Sequence, residues 1–245
     1  METPIISIIT PNYNSEKFIS QSIDSVIYQT YTNWEMIIVD DASTDSSVKI
    51  IKKFQAKEDR IKLIKINKNS GPAVARNKGI EIAKGNFIAF LDSDDFWLAS
   101  KLEEQVTFML ENDISFSFSS YFLMNNETKK KVSAKEVITY KDLLKNNFIG
   151  CLTAMYSVDL LGKQYFPLIR KRQDWALWLK ITRDGTNAYG ISKSLAVYRK
   201  RKTSLSSNKI SLLRYNWYVY RNFEGINLLK SIVLIVNLLV IKLLK

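Results

Sequence analysis

The sequence predicts an α/β fold, a mostly parallel sheet flanked by helices. Three observations lead there: short β-branched runs that are apolar almost throughout, helical patterns that follow them, and polar clusters where each run ends. Ile5-Ile6-Ser7-Ile8-Ile9 is a run of the kind buried on both faces in parallel sheets. Ser15 to Gln29 then places Ile19, Ile23, Val26 and Ile27 on one helical face. Met36 to Val39 is a second buried strand, and an Asp/Ser/Thr turn leads from it into a helix carrying Val48, Ile51 and Phe54. Ile61 to Ile66 reads as the third strand. Pro72 to Ala83 is a helix with proline in its first turn and Gly85 beyond its end. Phe87 to Leu91 is the fourth strand, and it runs straight into Asp92-Ser93-Asp94-Asp95.

From about Ser100 the rhythm changes. Lys101 to Asn112 is helical, and Ser115 to Ser119 alternates as a half-exposed strand would. Asn125 to Lys131 is polar and reads as a turn. Arg172 to Arg183 is a helix with Trp175, Leu177, Trp178 and Ile181 as its apolar residues, and a further strand ends at Tyr198. No internal repeat or Pro/Gly-rich linker interrupts the chain, so one domain is expected over 1–215, followed by a helical segment over 216–245. In that segment only eleven residues separate Lys230 from Lys242, fewer than the roughly 20 of a perpendicular membrane span. Drawn as a helix, Asn227, Lys230, Ser231, Asn237, Lys242 and Lys245 gather on one side, with Leu234, Leu238 and Ile241 intruding. The rest is apolar, the pattern of an amphipathic helix lying in a membrane interface. Packing on the protein's own core, or in a homodimer, is the other reading. Met1-Glu2-Thr3-Pro4 carries no basic stretch before an apolar run, so no signal peptide is expected.

Composition narrows the chemistry. The chain has 245 residues and a net charge of +12, which calls for an anionic partner: nucleic acid, a phosphorylated small molecule or an acidic membrane surface. Histidine is absent, which removes Ser-His-Asp triads and histidine-ligated zinc. Cys151 is the single cysteine, expected as a small buried apolar residue in a reducing, cytoplasmic compartment. No two glycines are spaced Gly-x-Gly, and Gly185 and Gly190 have P-loop spacing but are followed by Ile191-Ser192. Acid–base or metal chemistry must therefore come from Asp, Glu, Lys, Tyr, Arg and Asn.

Four polar clusters fall at the C-terminal ends of the predicted strands, where open α/β sheets bind ligands. They are Thr10 to Asn14, Asp40 to Asp45, Asn69 to Asn77, and Asp92 to Asp95. Each alone has a structural explanation in capping or turns; four on one edge is harder to dismiss. Three carboxylates in four residues repel one another unless they share a cation or a proton. With no histidine and no thiolate pair, a hard divalent ion with oxygen ligands is the natural partner. Such an ion would bridge the protein to a diphosphate and neutralise the charge that grows as it leaves. Arg76 is placed to add a second cationic contact.

Taken together, ITPNYN (ending Asn14), VDDASTD (Val39 to Asp45), NSGPAVARN (Asn69 to Asn77), FLDSDDFW (Phe90 to Trp97) and RQDWALWLK (Arg172 to Lys180) resemble glycosyltransferase family 2. The resemblance implies the Rossmann-like GT-A fold, with a nucleotide-binding half over 1–98 and an acceptor-binding half over 99–215. It implies an inverting transferase of bacterial surface-polysaccharide type, moving a sugar from a nucleotide-diphosphate donor, a UDP-sugar, to a hydroxyl of a glycan or lipid-linked acceptor. By position, Pro11, Asn12, Tyr13, Asn14 and Asp41 would hold the nucleotide, with Tyr13 stacking on the base and Asp41 accepting its imide N–H. Arg76 and Ser93 would join them. Asp92 and Asp94 match the DxD motif that binds Mn2+ or Mg2+, Asp94 as the direct ligand and Asp92 nearer the sugar, with Asp95 in support. Asp174 matches the catalytic base, flanked by Gln173, where many members carry Glu, and by Trp175. Arg199, Arg201 and Ser204 follow the last strand, where the family contacts phosphate. Two other classes fit parts of the sequence: a sugar-nucleotide-forming nucleotidyltransferase, and a basic membrane- or nucleic-acid-binding module without catalysis. The first lacks a glycine-rich loop after strand one, and no nucleic-acid motif is present. The expected location is cytoplasmic, peripheral on the inner face of the plasma membrane, with the oligomeric state left open.

Overall fold

The structure is a computed structural model that describes residues 3–125, 128–201 and 209–243. Four parallel strands form its first half. They are β1 (Ile6–Asn12), β2 (Trp34–Asp41), β3 (Ile61–Ile66) and β4 (Phe87–Phe90), joined through helices α1 (Ile19–Ile27), α2 (Ser47–Gln55) and α3 (Pro72–Ile82). Their order across the sheet is β3-β2-β1-β4, so the chain reverses direction of growth between β1 and β4. That switch point opens a crevice at the C-terminal strand ends. β1 and β2 are buried on both faces, as their unbroken apolar runs require. Ile6, Ile8, Met36 and Ile38 point to the core under α1 and α2; Ile9, Ile37 and Val39 point to the core under α3.

The second half is mixed rather than parallel. After β5 (Phe96–Trp97) and α4 (Lys101–Glu111) come β6 (Phe116–Asn125), β7 (Thr128–Val132), β8 (Val137–Ile138), α5 (Tyr140–Lys145), a 3-10 turn at Cys151–Thr153 and β9 (Met155–Ser157). Helices α6 (Val158–Leu161) and α7 (Gln173–Thr182) and the long strand β10 (Ala188–Arg199) follow. β9 is antiparallel to both β4 and β6, whereas β10 runs parallel to β6 and antiparallel to β5.

Two expectations are corrected here. The alternating Ser115–Ser119 stretch is not half-exposed, because Phe116 to Ser120 are all buried between β9 and β10. The serines tolerate this by bonding inward: Ser117 Oγ accepts from Gln105 at 2.9 Å and Ser120 Oγ from the Ala134 N–H at 2.8 Å. Likewise, Thr128 to Lys131 belong to β7, a hairpin partner of β6, and not to a turn.

Beyond β10 come α8 (Lys209–Tyr218), a π-helical turn at Val219–Phe223 and α9 (Leu228–Leu243). The expected division at 215 falls inside α8, and Val219, Tyr220 and Ile226 beyond it are buried in the core that holds Trp175. Helix α9 sits on the body with an unexpected side facing in. Ser231, Leu234 and Leu238, the residues grouped with the polar side, are buried. The intruding leucines are therefore the docking residues. Leu229, Ile232, Val233, Val236, Leu239 and Val240 form an exposed apolar sector opposite, bordered by exposed Lys230 and Asn237. No helix among the described residues is long and apolar enough to cross a membrane.

Helix α3 presses close on the sheet at Gly79, where an added Cβ would lie 2.8 Å from Ile9 Cγ2 and 3.5 Å from Val39 Cγ2. Gly79→Ala should cost about 1–3 kcal/mol of stability by overpacking. Urea unfolding checks it, and an unchanged midpoint would show that α3 can lift without penalty.

Candidate active site

The first two loops brace one another. The Asn12 amide donates to Asp40 Oδ1 at 2.7 Å and to Ser43 Oγ at 3.2 Å. Asn14 takes a left-handed conformation (φ 47°) that lets its N–H reach Ser43 Oγ at 3.0 Å, while its Oδ1 accepts from the Thr44 N–H at 2.8 Å. These two asparagines hold the rim of the crevice. Tyr13 lies between them, 51% exposed, with a ring face available for stacking; Pro11 beside it is half-buried. Asp41 is buried and accepts from the backbone N–H groups of Ser70 at 2.8 Å and Gly71 at 2.7 Å. It thereby fixes the entrance to α3, and each carboxylate oxygen keeps a lone pair for a further donor.

In the acidic turn the Asp95 N–H donates to the Asp92 carbonyl at 3.0 Å, and Ser93 is buried within it. The three carboxylates go three ways. Asp92 Oδ1 meets Arg76 Nη2 at 2.5 Å, and Asp94 Oδ2 meets Arg201 at 2.6 Å. Asp95 turns inward: Oδ1 accepts from the Arg199 N–H at 2.7 Å, and buried Oδ2 has no hydrogen-bond partner among the described residues. Burial and the Asp92 charge raise the Asp94 pKa, with Arg201 opposing. Burial, then Asp94 and Asp92, push Asp95 well above the usual carboxylate range. Arg199 also donates from Nη1 to the Asp94 carbonyl at 2.5 Å. The end of β10 thus joins this turn directly. Ser204, the third residue expected near phosphate, lies outside the described residues.

The start of α7 completes the arrangement. Arg172, left-handed at φ 65°, precedes Gln173 and Asp174. Gln173 Oε1 accepts from Arg76 Nη1 at 3.0 Å, and its Nε2 donates to the Arg170 carbonyl at 3.1 Å. One guanidinium therefore spans the DxD turn and the helix of the expected base. Burial opposes the Arg76 charge, but the ion pair with Asp92 and the charge of Asp174 outweigh it and the pKa rises. Asp174 occupies the first turn of α7, where the helix dipole favours an anion. Its Oδ2 accepts from Asn147 Nδ2 at 2.9 Å. Trp175 belongs to the core instead: its indole N–H donates to the Leu143 carbonyl at 2.7 Å, and its ring meets Tyr220 edge-on.

Sequence reasoning missed Asn147, which lies in no motif, and Gln21, which accepts from Arg199. It also missed the place of Cys151, half-buried and within electrostatic reach of Arg76, Asp92 and Asp174. Burial pushes the Cys151 pKa well up, so the group is a neutral thiol and not a nucleophile.

Among the described residues no group of three acidic or sulfur ligands forms a metal cage. Asp92 and Asp94 do fit a different kind of site. A hard cation held by one or two carboxylates takes its remaining oxygens from phosphate and water. Burial and neighbouring carboxylates raise Asp94 and Asp95, and two arginines are drawn to the turn, which marks the crowding of negative charge such an ion would balance.

Comparison with known proteins gives the family and the fold. The family model described as Glycosyl transferase family 2 matches residues 7–199. The chain is 44% identical over 231 residues to the putative teichuronic acid biosynthesis glycosyltransferase TuaG of Bacillus subtilis, covering 93% of this chain and 92% of that one. It is 42% identical over 243 residues to WfgD of Escherichia coli, named as a UDP-Glc:alpha-D-GlcNAc-diphosphoundecaprenol beta-1,3-glucosyltransferase, covering 98% and 94%. Among solved structures, S. aureus TarS 1–349 in complex with UDP-GlcNAc superposes with a TM-score of 0.74 at 24% identity, covering 96% of this chain and 71% of that one. This last likeness establishes the GT-A fold.

Arg76→Ala should lower stability by about 2–4 kcal/mol, since it strands a partly buried carboxylate. Gln173→Ala should cost about 1 kcal/mol. Because both changes break one bridge, the double variant should cost little more than Arg76→Ala alone in denaturant unfolding. Full additivity would show that the two contacts are independent.

Proposed function

Because the chain belongs to glycosyl transferase family 2, it is a sugar-transferring enzyme, and we propose that it uses a UDP-sugar donor, a divalent cation and an inverting single displacement. The observation that supports this reading most is the Arg76 bridge, which ties the DxD turn to the helix of the base. Family membership also decides against the nucleotidyltransferase and the non-catalytic binding module. In this reading Tyr13 stacks on the base and Asp41 accepts its imide N–H, while Pro11, Asn12 and Asn14 keep that wall in place. Asp92 and Asp94 would hold Mn2+ or Mg2+, which when bound neutralises charge on the leaving diphosphate.

Asp174 takes the proton from the acceptor hydroxyl. The acceptor oxygen forms its bond to the anomeric carbon as the bond from that carbon to the diphosphate oxygen breaks. The electron pair leaves with the diphosphate, and attack from the opposite side inverts the centre. Arg76, Arg199 and Arg201 supply fixed positive charge beside the group that gains negative charge.

The relatives and the surface together support a reading of the acceptor. WfgD is named for a sugar on diphosphoundecaprenol, a lipid carrier, and TuaG for teichuronic acid biosynthesis. A lipid-linked glycan, used in surface-polysaccharide synthesis, is the acceptor class proposed here. The exposed apolar sector of α9 then lies in the membrane interface on the cytoplasmic side. Lys230 at its border and a net charge of +12 favour an anionic lipid surface.

Two measurements test these readings. Calorimetry should show UDP binding at least about tenfold tighter with Mn2+ than with chelator, and Asp94→Ala should remove that difference. Mn2+ alone should bind weakly, and equal UDP affinity with and without metal would end the metal assignment. Leu229→Glu combined with Val233→Glu should weaken binding to phosphatidylglycerol vesicles by about tenfold or more while sparing UDP binding. Unchanged vesicle binding would refute the membrane reading, and a dimer lost instead would give the face to a second copy.

A further inference from the structure

Asp174 stands near two guanidiniums, those of Arg76 and Arg172, and interacts electrostatically with both. A carboxylate drawn into an ion pair with either would offer its lone pairs to arginine rather than to a substrate proton. The contact that holds it is a neutral one. Asn147 Nδ2 donates to Asp174 Oδ2 at 2.9 Å, while Asn147 Oδ1 accepts from the Ile149 N–H at 3.2 Å. That second bond fixes the sense of the amide, so the group facing Asp174 must be the donor.

The loop bearing Asn147 is itself immobilised. It leaves α5, whose Leu143 and Leu144 are buried and whose carbonyls accept from the Trp175 indole at 2.7 Å and the Tyr220 hydroxyl at 2.5 Å. Trp175 directly follows Asp174 on α7, so the base and its amide partner are locked to one core cluster. A rotamer fixed by a supported neighbour is what proton transfer requires.

We propose that Asn147 is the positioning residue for the Asp174 base: it holds Oδ2 and leaves Oδ1 to take the proton of the acceptor hydroxyl. This rests on the reading of Asp174 as the base. The neutral amide orients the carboxylate without neutralising it, which a lysine or arginine at 147 would not do.

The test uses the full chain with UDP-sugar and a lipid-linked acceptor. Asn147→Ala should lower kcat roughly ten- to hundredfold, with UDP affinity in Mn2+ and the melting temperature nearly unchanged. Asn147→Asp keeps the shape, has no N–H to donate and adds a like charge, so it should lower kcat at least as far. Wild-type kcat in both variants would overturn the proposal. A joint fall of kcat and UDP affinity would overturn it too, since that marks a general structural role. Asp174→Ala, run in parallel, separates the two levels. If it keeps turnover, the base reading itself fails; if it abolishes turnover while Asn147→Ala does not lower it, only the positioning role fails.

Discussion

Arg76 lies on α3 with its guanidinium almost wholly enclosed, between Asp92 on the strand-four turn and Gln173 at the start of α7. A charge in that position is costly to desolvate, and it persists because each partner returns a strong hydrogen bond. The consequence is mechanical as well as electrostatic. Two segments that are distant in sequence, the DxD turn and the helix of the proposed base, are held at one separation by a planar group that bends little. Lysine could not serve both partners with comparable geometry. Gln173 matters to this balance: with a neutral acceptor there, Asp92 is the one carboxylate bonded to Arg76 among the described residues, and in the proposed mechanism more of its positive charge remains for an incoming diphosphate.

Around that bridge the polar clusters divide into loop braces and groups held only by arginine or left exposed. Asn12, Asn14 and Asp40 spend their hydrogen bonds on each other's loops, and Asp41 anchors the approach to α3. Strained backbone is found in the same places: Asn14, Ala42 and Arg172 all carry positive φ. Such conformations cost about 1–3 kcal/mol each and persist where surrounding contacts demand them. What these contacts leave at the rim is the Tyr13 ring on one side and the Asp92–Asp94 pair on the other. Asp95, almost fully buried and bonded to the β10 backbone, secures the turn from within.

The first half of the fold was legible because β1, β2 and β4 are buried on both faces, so hydrophobicity alone marks them. The third strand lies at the sheet edge, half-buried and with Lys65 exposed, yet its limits, Ile61 and Ile66, were readable from its β-branched run. The second half was harder. Buried serines on β6 imitate an exposed face, since an alternating pattern does not reveal that Gln105 and Ala134 satisfy the hydroxyls. Lys101 shows the same limit: it opens a helix, a normal place for a solvated charge, yet it is fully buried with its ammonium 4.0 Å from the Trp97 ring centroid. Helix α9 carries both lessons. Its period was readable, but which side docks depends on the body it meets. Within the candidate site, motif positions pointed to Arg76, Asp92, Asp94 and Asp174, whereas Asn147 reaches Asp174 only through the tertiary packing of α5 on α7.

An enzyme that works through one base and a departing diphosphate must invert the sugar centre. The most direct measurement is therefore the anomeric configuration of the product, read by proton NMR coupling after transfer from an α-linked UDP-sugar to a lipid-linked acceptor. A β-linked product is predicted. An α-linked product would contradict the single displacement and with it the role given to Asp174.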